Sequence, residues 1–197
     1  MSRKLFAGIA IPKSKVETLE QSLARLKRTA HEREFQMQWV PKANWHITLW
    51  YFGPSTVEEE KTIRERLLSL AQEQRAAIDL DVRGFGAFPE PTHARVFWAG
   101  VSRTRELVEL YDRGVAKFIS SVNDMTPTNR DEDLGLFAPH LTLARFRNLQ
   151  SASPLIEPFA RKRLFSFRVD EIILFESALE GHYPKYTPLT RFAFAPK

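Results

Sequence analysis

One four-residue frame, His-x-Thr-Leu, occurs twice in this chain and limits what the chain can form. The copies are His46-Ile47-Thr48-Leu49 and His140-Leu141-Thr142-Leu143, and the chain has only five histidines. Both copies stand in short apolar runs typical of β-strands, and in a strand residues i and i+2 point to the same face. Each copy therefore predicts a strand with an imidazole and a hydroxyl on one face and two aliphatic side chains on the other. If the two strands lie side by side, two imidazoles and two hydroxyls converge on one cleft.

Such a set of side chains is suited to opening a cyclic phosphodiester. Because the ordinary pKa of histidine is near ~6.5, one imidazole can take a proton from water while the other gives a proton to the departing sugar oxygen. The hydroxyls of Thr48 and Thr142 can donate to the non-bridging oxygens, where negative charge develops. A diester carries one negative charge, so no metal and no cofactor are expected. The frames predict His46, Thr48, His140 and Thr142 as catalytic residues, and they leave open which histidine is the acid.

The composition favours a soluble protein with an anionic partner. The chain has 197 residues, a net charge of +5, a pI of about 9.6 and 43% hydrophobic residues. These values favour nucleic acid or nucleotide as partner and a single domain over residues 1–197. The chain has no cysteine, which excludes disulfides, thiolate catalysis and Cys-ligated zinc. No apolar run approaches the ~20 residues needed to span a bilayer, so we expect a cytoplasmic protein without membrane contact. We also expect a monomer.

Hydrophobic periodicity predicts an α+β chain with mainly antiparallel sheet, because hairpin-like strand pairs stand between helices. Ser14 is the predicted N-cap of the first helix, Gly53-Pro54-Ser55 is predicted to end a strand, and Gly84 to Pro91 is predicted as a loop. Residues 123–136 are polar and predicted to be mobile. The predicted strands cover 5–11, 36–40, 46–52, 78–85, 95–101, 140–146, one or two within 165–178, and 186–195; the predicted helices cover 14–32, 57–74 and 104–122.

Segments outside the two frames are also characteristic. They are Leu5 to Pro12, Trp39-Val40-Pro41-Lys42-Ala43-Asn44 before the first frame, Gly86-Ala87-Phe88-Pro89, Arg95-Val96-Phe97-Trp98, Pro139 to Arg145, and Leu174-Phe175-Glu176-Ser177 followed by Tyr186, Leu189 and Phe192. In these segments and in both frames the chain resembles the 2H phosphoesterases, specifically the RNA 2′,3′-cyclic phosphodiesterases once called 2′-5′ RNA ligases. The resemblance covers essentially the whole chain.

This resemblance implies a bilobal α+β fold, with two pseudo-symmetric lobes of mainly antiparallel sheet and outer helices around a central cleft. It implies hydrolysis of RNA 2′,3′-cyclic phosphate ends, or of a related nucleotide, to 2′-phosphomonoesters, with His46 as proton donor and His140 as proton acceptor. Three alternatives stay open: a 2′-5′ RNA ligase, a nucleotide cyclic phosphodiesterase, and a non-catalytic RNA-binding module. The intact frames disfavour the last of these.

Three further residues are candidates for substrate binding. The family associates Arg145 with phosphate. Arg145 lies five residues after His140, an odd number, so alternation along a strand points its side chain away from His140 unless a twist or bulge turns it back. Phe52 has the parity of His46, and it could either stack on a base or pack in the core. Trp45 stands where many relatives have an aliphatic residue; its parity favours a packed aromatic, and base stacking at the cleft rim is the alternative.

The remaining aromatic, basic and histidine residues are predicted to have structural roles. Trp98 is expected in the core. The run Arg161-Lys162-Arg163 is expected to be a solvated face, with a phosphate track for a longer RNA as the alternative. His31, His93 and His182 have no matching frame and are treated as non-catalytic.

Overall fold

Strands and helices alternate irregularly along the chain. The computed structural model describes residues 2–119, 137–160, 162–180 and 183–196, so the predicted mobile segment 123–136 lies outside the described residues. No helix in these ranges is both long and apolar enough to cross a membrane. The strands are β1 (Arg3–Ala10), β2 (Met37–Trp39), β3 (His46–Ser55), β4 (Ile78–Phe88), β5 (Ala94–Val101), β6 (His140–Gln150), β7 (Arg163–Val169), β8 (Glu171–Glu180) and β9 (Tyr183–Ala193); the helices are α1 (Lys13–Glu32), α2 (Val57–Glu73), α3 (Arg105–Ile119) and α4 (Ser153–Ile156).

The described strands form one sheet in the order β7-β4-β5-β6-β3-β1-β8-β9, with β2 paired to β6. All of these pairings are antiparallel, so the predicted α+β class with mainly antiparallel sheet is confirmed. We call β3-β1-β8-β9 the first half-sheet and β6-β5-β4-β7 the second half-sheet. The two halves meet where β3 contacts β6, the two strands that carry the frames. The division into two separate lobes stays a prediction.

The helices pack behind the sheet, with α2 and α3 against the first half-sheet and α1 and α4 against the second. At the centre of this packing Trp50 of β3 is 1% exposed, and its ring stacks on Tyr111 of α3 at a centroid distance of 6.2 Å. The Trp50 indole N–H donates to the carbonyl oxygen of Tyr111 over 3.3 Å. Gly114 lets α3 approach this closely, because a Cβ there would lie 2.1 Å from the Trp50 ring. The large core thus occupies one face of the sheet, and a small buried cluster of Phe6, Ile173 and Phe175 lies on the other.

Three local predictions are wrong. Ser14 lies inside α1, whose N-cap is Pro12 and has no side-chain cap. β3 does not end at Gly53 but continues to Ser55, paired with the start of β1. The segment after Gly84 is not a loop, because β4 continues to Phe88 and pairs with β5. Gly53 and Gly84 both have positive φ (75° and 61°) at irregular points of the pairing, so these glycines accommodate bulges within strands and do not end them.

Candidate active site

β3 has a bulge directly after its histidine and threonine. Consecutive residues of β1, Gly8 and Ala7, pair with Thr48 and Trp50, which leaves Leu49 as an extra residue in β3. Leu49 and Trp50 are both buried, whereas strict alternation would expose one of them. A bulge of this kind changes the face to which the following residues point.

β6 repeats this bulge at the corresponding place. Consecutive residues of β5 pair with Thr142 and Ala144, which leaves Leu143 as the extra residue. The burial pattern over the first six residues is the same in β3 and β6. Parity reverses in each strand, so Tyr51 and Arg145, each five residues after a frame histidine, return to the histidine face. The bulge is therefore the reason why Arg145 lies on the histidine face, although an ideal strand would point it away.

The four predicted catalytic residues lie together where the half-sheets meet. We call them the quartet: His46, Thr48, His140 and Thr142. β3 and β6 pair through Ile47 and Leu141, which are fully buried. Antiparallel pairing places each histidine of the quartet across from the threonine of the other strand, and Cβ atoms of such neighbours are ~5 Å apart. All four side chains are half-buried on the face opposite the core, as parity predicts.

Both histidines of the quartet are held through Nδ1 by a backbone carbonyl. His46 Nδ1 lies 2.7 Å from the carbonyl oxygen of Asn44, and His140 Nδ1 lies 2.8 Å from that of Ala138. A carbonyl oxygen can only accept, so each Nδ1–H donates and Nε2 is left for proton transfer. His46 Nε2 lies 2.9 Å from the Thr48 hydroxyl, and in the neutral imidazole it accepts from that hydroxyl.

Aromatic rings enclose each imidazole. Phe6 and Tyr186 lie 4.8 and 4.9 Å from His46, measured between ring centroids. Phe88 lies 5.0 Å from His140. Trp98, predicted in the core, is half-buried beside the quartet instead; it pairs with Thr142 across β5 and β6, and its ring lies 6.2 Å from that of His140.

This burial lowers the pKa of both histidines. Loss of hydration lowers the pKa of His46 to about 4, the Asn44 carbonyl opposes that change, and the charge of His140 adds to it. Burial also lowers the pKa of His140, and the guanidinium of Arg145 lowers it further. Both shifts favour neutral imidazoles at pH 7. An anionic phosphate beside the imidazoles would raise both pKa values.

A cleft of about 250 Å³ opens on the quartet's face of the sheet. His46, Thr48 and Thr142 line it together with Arg145. His140 lies outside this lining, but the charge of Arg145 acts on its imidazole. Gln38, Asn44 and Tyr186 also line the cleft. Burial raises the pKa of Tyr186, which keeps its phenol a hydrogen-bond donor near neutral pH.

Tyr51, Asn44 and Tyr186 were not among the predicted site residues. Tyr51 has the same offset from His46 as Arg145 has from His140, so the repeated frame contained a signal for it. Asn44 anchors the turn before β3, because its side-chain N–H donates to the carbonyl oxygen of Pro184 in β9 over 2.6 Å. No local pattern predicts that contact, since it joins residues far apart in the sequence.

Trp45 and Phe52 do not line the cleft. Trp45 is 6% exposed, and its indole N–H donates to the carbonyl oxygen of Val40 over 3.2 Å, so the base-stacking alternative is wrong. Phe52 packs edge-on against Phe118 of α3 at 4.8 Å, on the core side. Its expected place on the face of His46 is wrong because the bulge reverses parity before it.

The other basic and histidine candidates that the structure describes lie away from the quartet. His31 and His93 are exposed. In the basic run, Arg163 forms an ion pair with Asp81 over 2.9 Å at the outer edge of the second half-sheet, and Lys162 lies over the ring of Phe159. Arg161 and His182 lie outside the described residues.

The sequence matches known proteins over most of its length. Two curated relatives are named RNA 2′,3′-cyclic phosphodiesterase. The relative from Aeropyrum pernix is 33% identical over 171 residues, which is 85% of this chain and 92% of the relative. The relative from Methanothermobacter thermautotrophicus is 29% identical over 180 residues, which is 89% of this chain and 92% of the relative.

Solved structures share the fold. A crystal structure from Thermus thermophilus has a TM-score of 0.77 at 21% identity and covers 98% of this chain and 99% of its own. E. coli LigT complexed with 3′-AMP has a TM-score of 0.71 at 24% identity with the same coverage. The family model for the 2′-5′ RNA ligase superfamily matches residues 14–180. The chain therefore belongs to the 2′-5′ RNA ligase superfamily.

Proposed function

We propose that this chain hydrolyses RNA 2′,3′-cyclic phosphate ends to 2′-phosphomonoesters without a metal ion. The observation that carries the proposal is the quartet, in which two imidazoles and two hydroxyls share one face at the contact of β3 and β6. The names of the curated relatives support this substrate. The complex of E. coli LigT with 3′-AMP is consistent with a nucleotide in the cleft of a protein with this fold.

In the proposed reaction His140 Nε2 takes a proton from a water molecule, whose oxygen attacks the phosphorus. The bond between phosphorus and O3′ breaks, and His46 Nε2 gives its proton to O3′, which leaves a 3′-hydroxyl and a 2′-phosphate. The hydroxyls of Thr48 and Thr142 donate to the non-bridging oxygens as charge develops. Atoms and protons balance, because the base gains one proton and the acid loses one.

This order of roles follows the family resemblance, and the surroundings of His140 are consistent with it. The guanidinium of Arg145 lowers the pKa of His140, which favours the neutral form that a base requires. Burial lowers the pKa of His46 to about 4, so in the free protein His46 is neutral as well. A phosphate anion would offset the loss of hydration at His46 and favour the imidazolium that an acid requires.

Analysis of the product formed from a cyclic RNA end tests the proposal. We expect an RNA oligonucleotide ending in 2′,3′-cyclic phosphate to be converted to a 2′-phosphate end, with the same rate in EDTA, because the quartet requires no metal. A 3′-phosphate product would contradict the proposed breakage of the bond between phosphorus and O3′. Joining of RNA ends without hydrolysis would favour the ligase alternative, hydrolysis of cyclic mononucleotides alone would favour the nucleotide phosphodiesterase, and binding without turnover would favour the non-catalytic module.

The pH dependence of kcat/KM follows from the lowered pKa values. The productive form of the free protein has one protonated and one neutral imidazole, so it is most populated between the two pKa values, both of which lie below 6.5. We expect a bell-shaped profile with its optimum on the acid side of pH 6.5. The optimum of kcat should lie at higher pH, because bound phosphate raises both values. Initial rates from about pH 4 to about pH 9 measure both profiles, and a kcat/KM optimum on the alkaline side of neutrality would contradict the prediction.

Each threonine of the quartet should contribute mainly to kcat. Thr48→Val and Thr142→Val remove a donor to the charged oxygens while keeping the shape of the side chain, and we expect each to lower kcat by about 10²-fold. Thr62→Val in α2, outside the cleft, is the matched control. Equal kcat values in all three variants would remove the hydroxyls from the mechanism.

We also propose that the chain acts as a single-domain monomer in the cytoplasm. One continuous sheet and one large core cluster spanning both half-sheets support a single domain. Size-exclusion chromatography with light scattering measures the oligomeric state, and a stable dimer would contradict this part of the proposal.

A further inference from the structure

The cleft continues outward along β2 and the adjoining part of β6. Gln38 of β2 pairs with Arg145 of β6, and both line the cleft. One step further, the Arg147 backbone N–H donates to the carbonyl oxygen of Gln36 over 2.8 Å. Between these pairs Met37 pairs with Phe146, and both pack against the core. Alternation therefore places the side chains of Gln36 and Arg147 on the cleft face, like those of Gln38 and Arg145. We call these four residues the donor ribbon: Gln36, Gln38, Arg145 and Arg147.

The donor ribbon presents hydrogen-bond donors and positive charge. All four side chains carry N–H groups, and guanidinium groups are suited to phosphate oxygens. Arg145 and Arg147 are exposed, and neither takes part in an ion pair within the described ranges. Residues two apart on a strand are ~6.8 Å apart, which lets two guanidinium groups meet successive phosphates of an extended nucleic-acid strand. The net charge of +5 adds long-range attraction for the same partner.

The position of the ribbon relative to the quartet indicates which nucleotides it would bind. A cyclic phosphate is the last group of its RNA, so once that group lies at the quartet the rest of the strand must leave the cleft on one side. Pro184 and Tyr186 line another wall of the cleft. Among the residues that line the cleft, the permanent positive charge belongs to Arg145, beside Gln38, and the donor ribbon extends from there.

From this arrangement we propose that the donor ribbon binds the backbone of single-stranded RNA upstream of the cyclic end, with Arg147 holding a phosphate outside the catalytic cleft. The inference rests on the proposed function and deepens it, because it makes an oligonucleotide, not a mononucleotide, the preferred substrate. Arg145 acts within the cleft, where it shifts the pKa of both His140 and Tyr186. Arg147 is not among the charges that shift either group, so its contribution is separable from the chemistry.

Kinetics on two substrates test whether the donor ribbon binds RNA. With a hexaribonucleotide ending in 2′,3′-cyclic phosphate, we expect Arg147→Ala to raise KM about five- to tenfold with kcat unchanged, because one phosphate contact is lost. The slope of log(kcat/KM) against log[salt] should become less steep by about 0.7, the value for one phosphate on a single strand. With a 2′,3′-cyclic mononucleotide, which has no upstream phosphate, kcat and KM should stay at wild-type values. Arg147→Lys should recover most of the affinity.

Arg75→Ala is the matched control, because Arg75 is an exposed arginine just after α2, behind the sheet. The proposal fails if Arg147→Ala changes the hexanucleotide kinetics no more than Arg75→Ala does. It also fails if mononucleotide turnover falls equally, because Arg147 would then act on the cleft or the fold. Binding of a fluorescent hexanucleotide with a 2′-phosphate end, measured by anisotropy, needs no turnover. It therefore distinguishes a donor ribbon that does not bind RNA from a protein that does not have the proposed activity.

Discussion

Replacing either His46 or His140 by alanine should lower kcat by at least about 10²–10⁴-fold, because each imidazole transfers a proton in the proposed reaction. The double variant should be about as slow as the slower single variant, since an acid and a base that act in one step do not contribute additively. The fold should persist, because both side chains lie on the cleft face and the buried pair Ile47 and Leu141 joins the strands without them. Single-turnover rates on RNA ending in 2′,3′-cyclic phosphate measure the loss of rate in each variant.

His93→Ala is the control for these variants, because His93 is exposed on a turn outside the cleft and its ring contacts Glu90 over 2.6 Å. We expect it to keep the wild-type kcat. Circular dichroism and urea unfolding of all variants separate loss of chemistry from loss of fold. Full activity in both frame-histidine variants would remove the quartet from the mechanism, whatever the substrate.

Gly8→Ala should have the largest effect on stability among substitutions near the site. A Cβ at Gly8 would lie 2.5 Å from the carbonyl oxygen of Ile47 and 3.5 Å from Cα of Thr48, and neither is the end of a flexible side chain. The backbone of β1 or β3 must therefore move. We expect the free energy of unfolding to fall by about 2 kcal/mol or more and kcat to fall with it, because β3 carries His46.

Gly53→Ala distinguishes backbone strain from displacement of the site. Gly53 lies further along β3 with φ of 75°, and a Cβ there would meet only the Tyr51 ring, at 3.7 Å. This substitution should cost about 1 kcal/mol of stability and leave kcat near the wild-type value. Urea unfolding and kcat are measured on both glycine variants. A stable, fully active Gly8→Ala protein would contradict the close approach of β1 to β3.

The quartet could be predicted because its geometry is local. Alternation within a strand fixes the relation of His46 to Thr48, and apolar residues at the intervening positions indicate which face is buried. The bulges could not be predicted in the same way, since the extra residues Leu49 and Leu143 are defined only by the register with β1 and β5. This is why parity is correct up to each threonine of the quartet and wrong beyond it, for Phe52 as well as for Arg145.

The two wrong predictions at glycine residues have a related cause. A glycine with positive φ is needed both at the turn that ends a strand and at a bulge inside one, and only the partner strand distinguishes these cases. Gly53 and Gly84 are of the second kind. Long-range contacts such as Asn44 with Pro184 depend on how distant strands assemble, so local periodicity contains no signal for them.

The strand order has a consequence for how the protein is made. The first half-sheet takes β1 and β3 from the start of the described chain and β8 and β9 from its end, whereas the second half-sheet comes from the segment between them. On the ribosome, the second half-sheet can assemble once β7 has emerged, but β1 must wait for β8 as its outer neighbour. A nascent chain that has emerged to Val169 already contains both histidines of the quartet. It still lacks Tyr186, so the wall that withdraws His46 from water is added only after both imidazoles have been made.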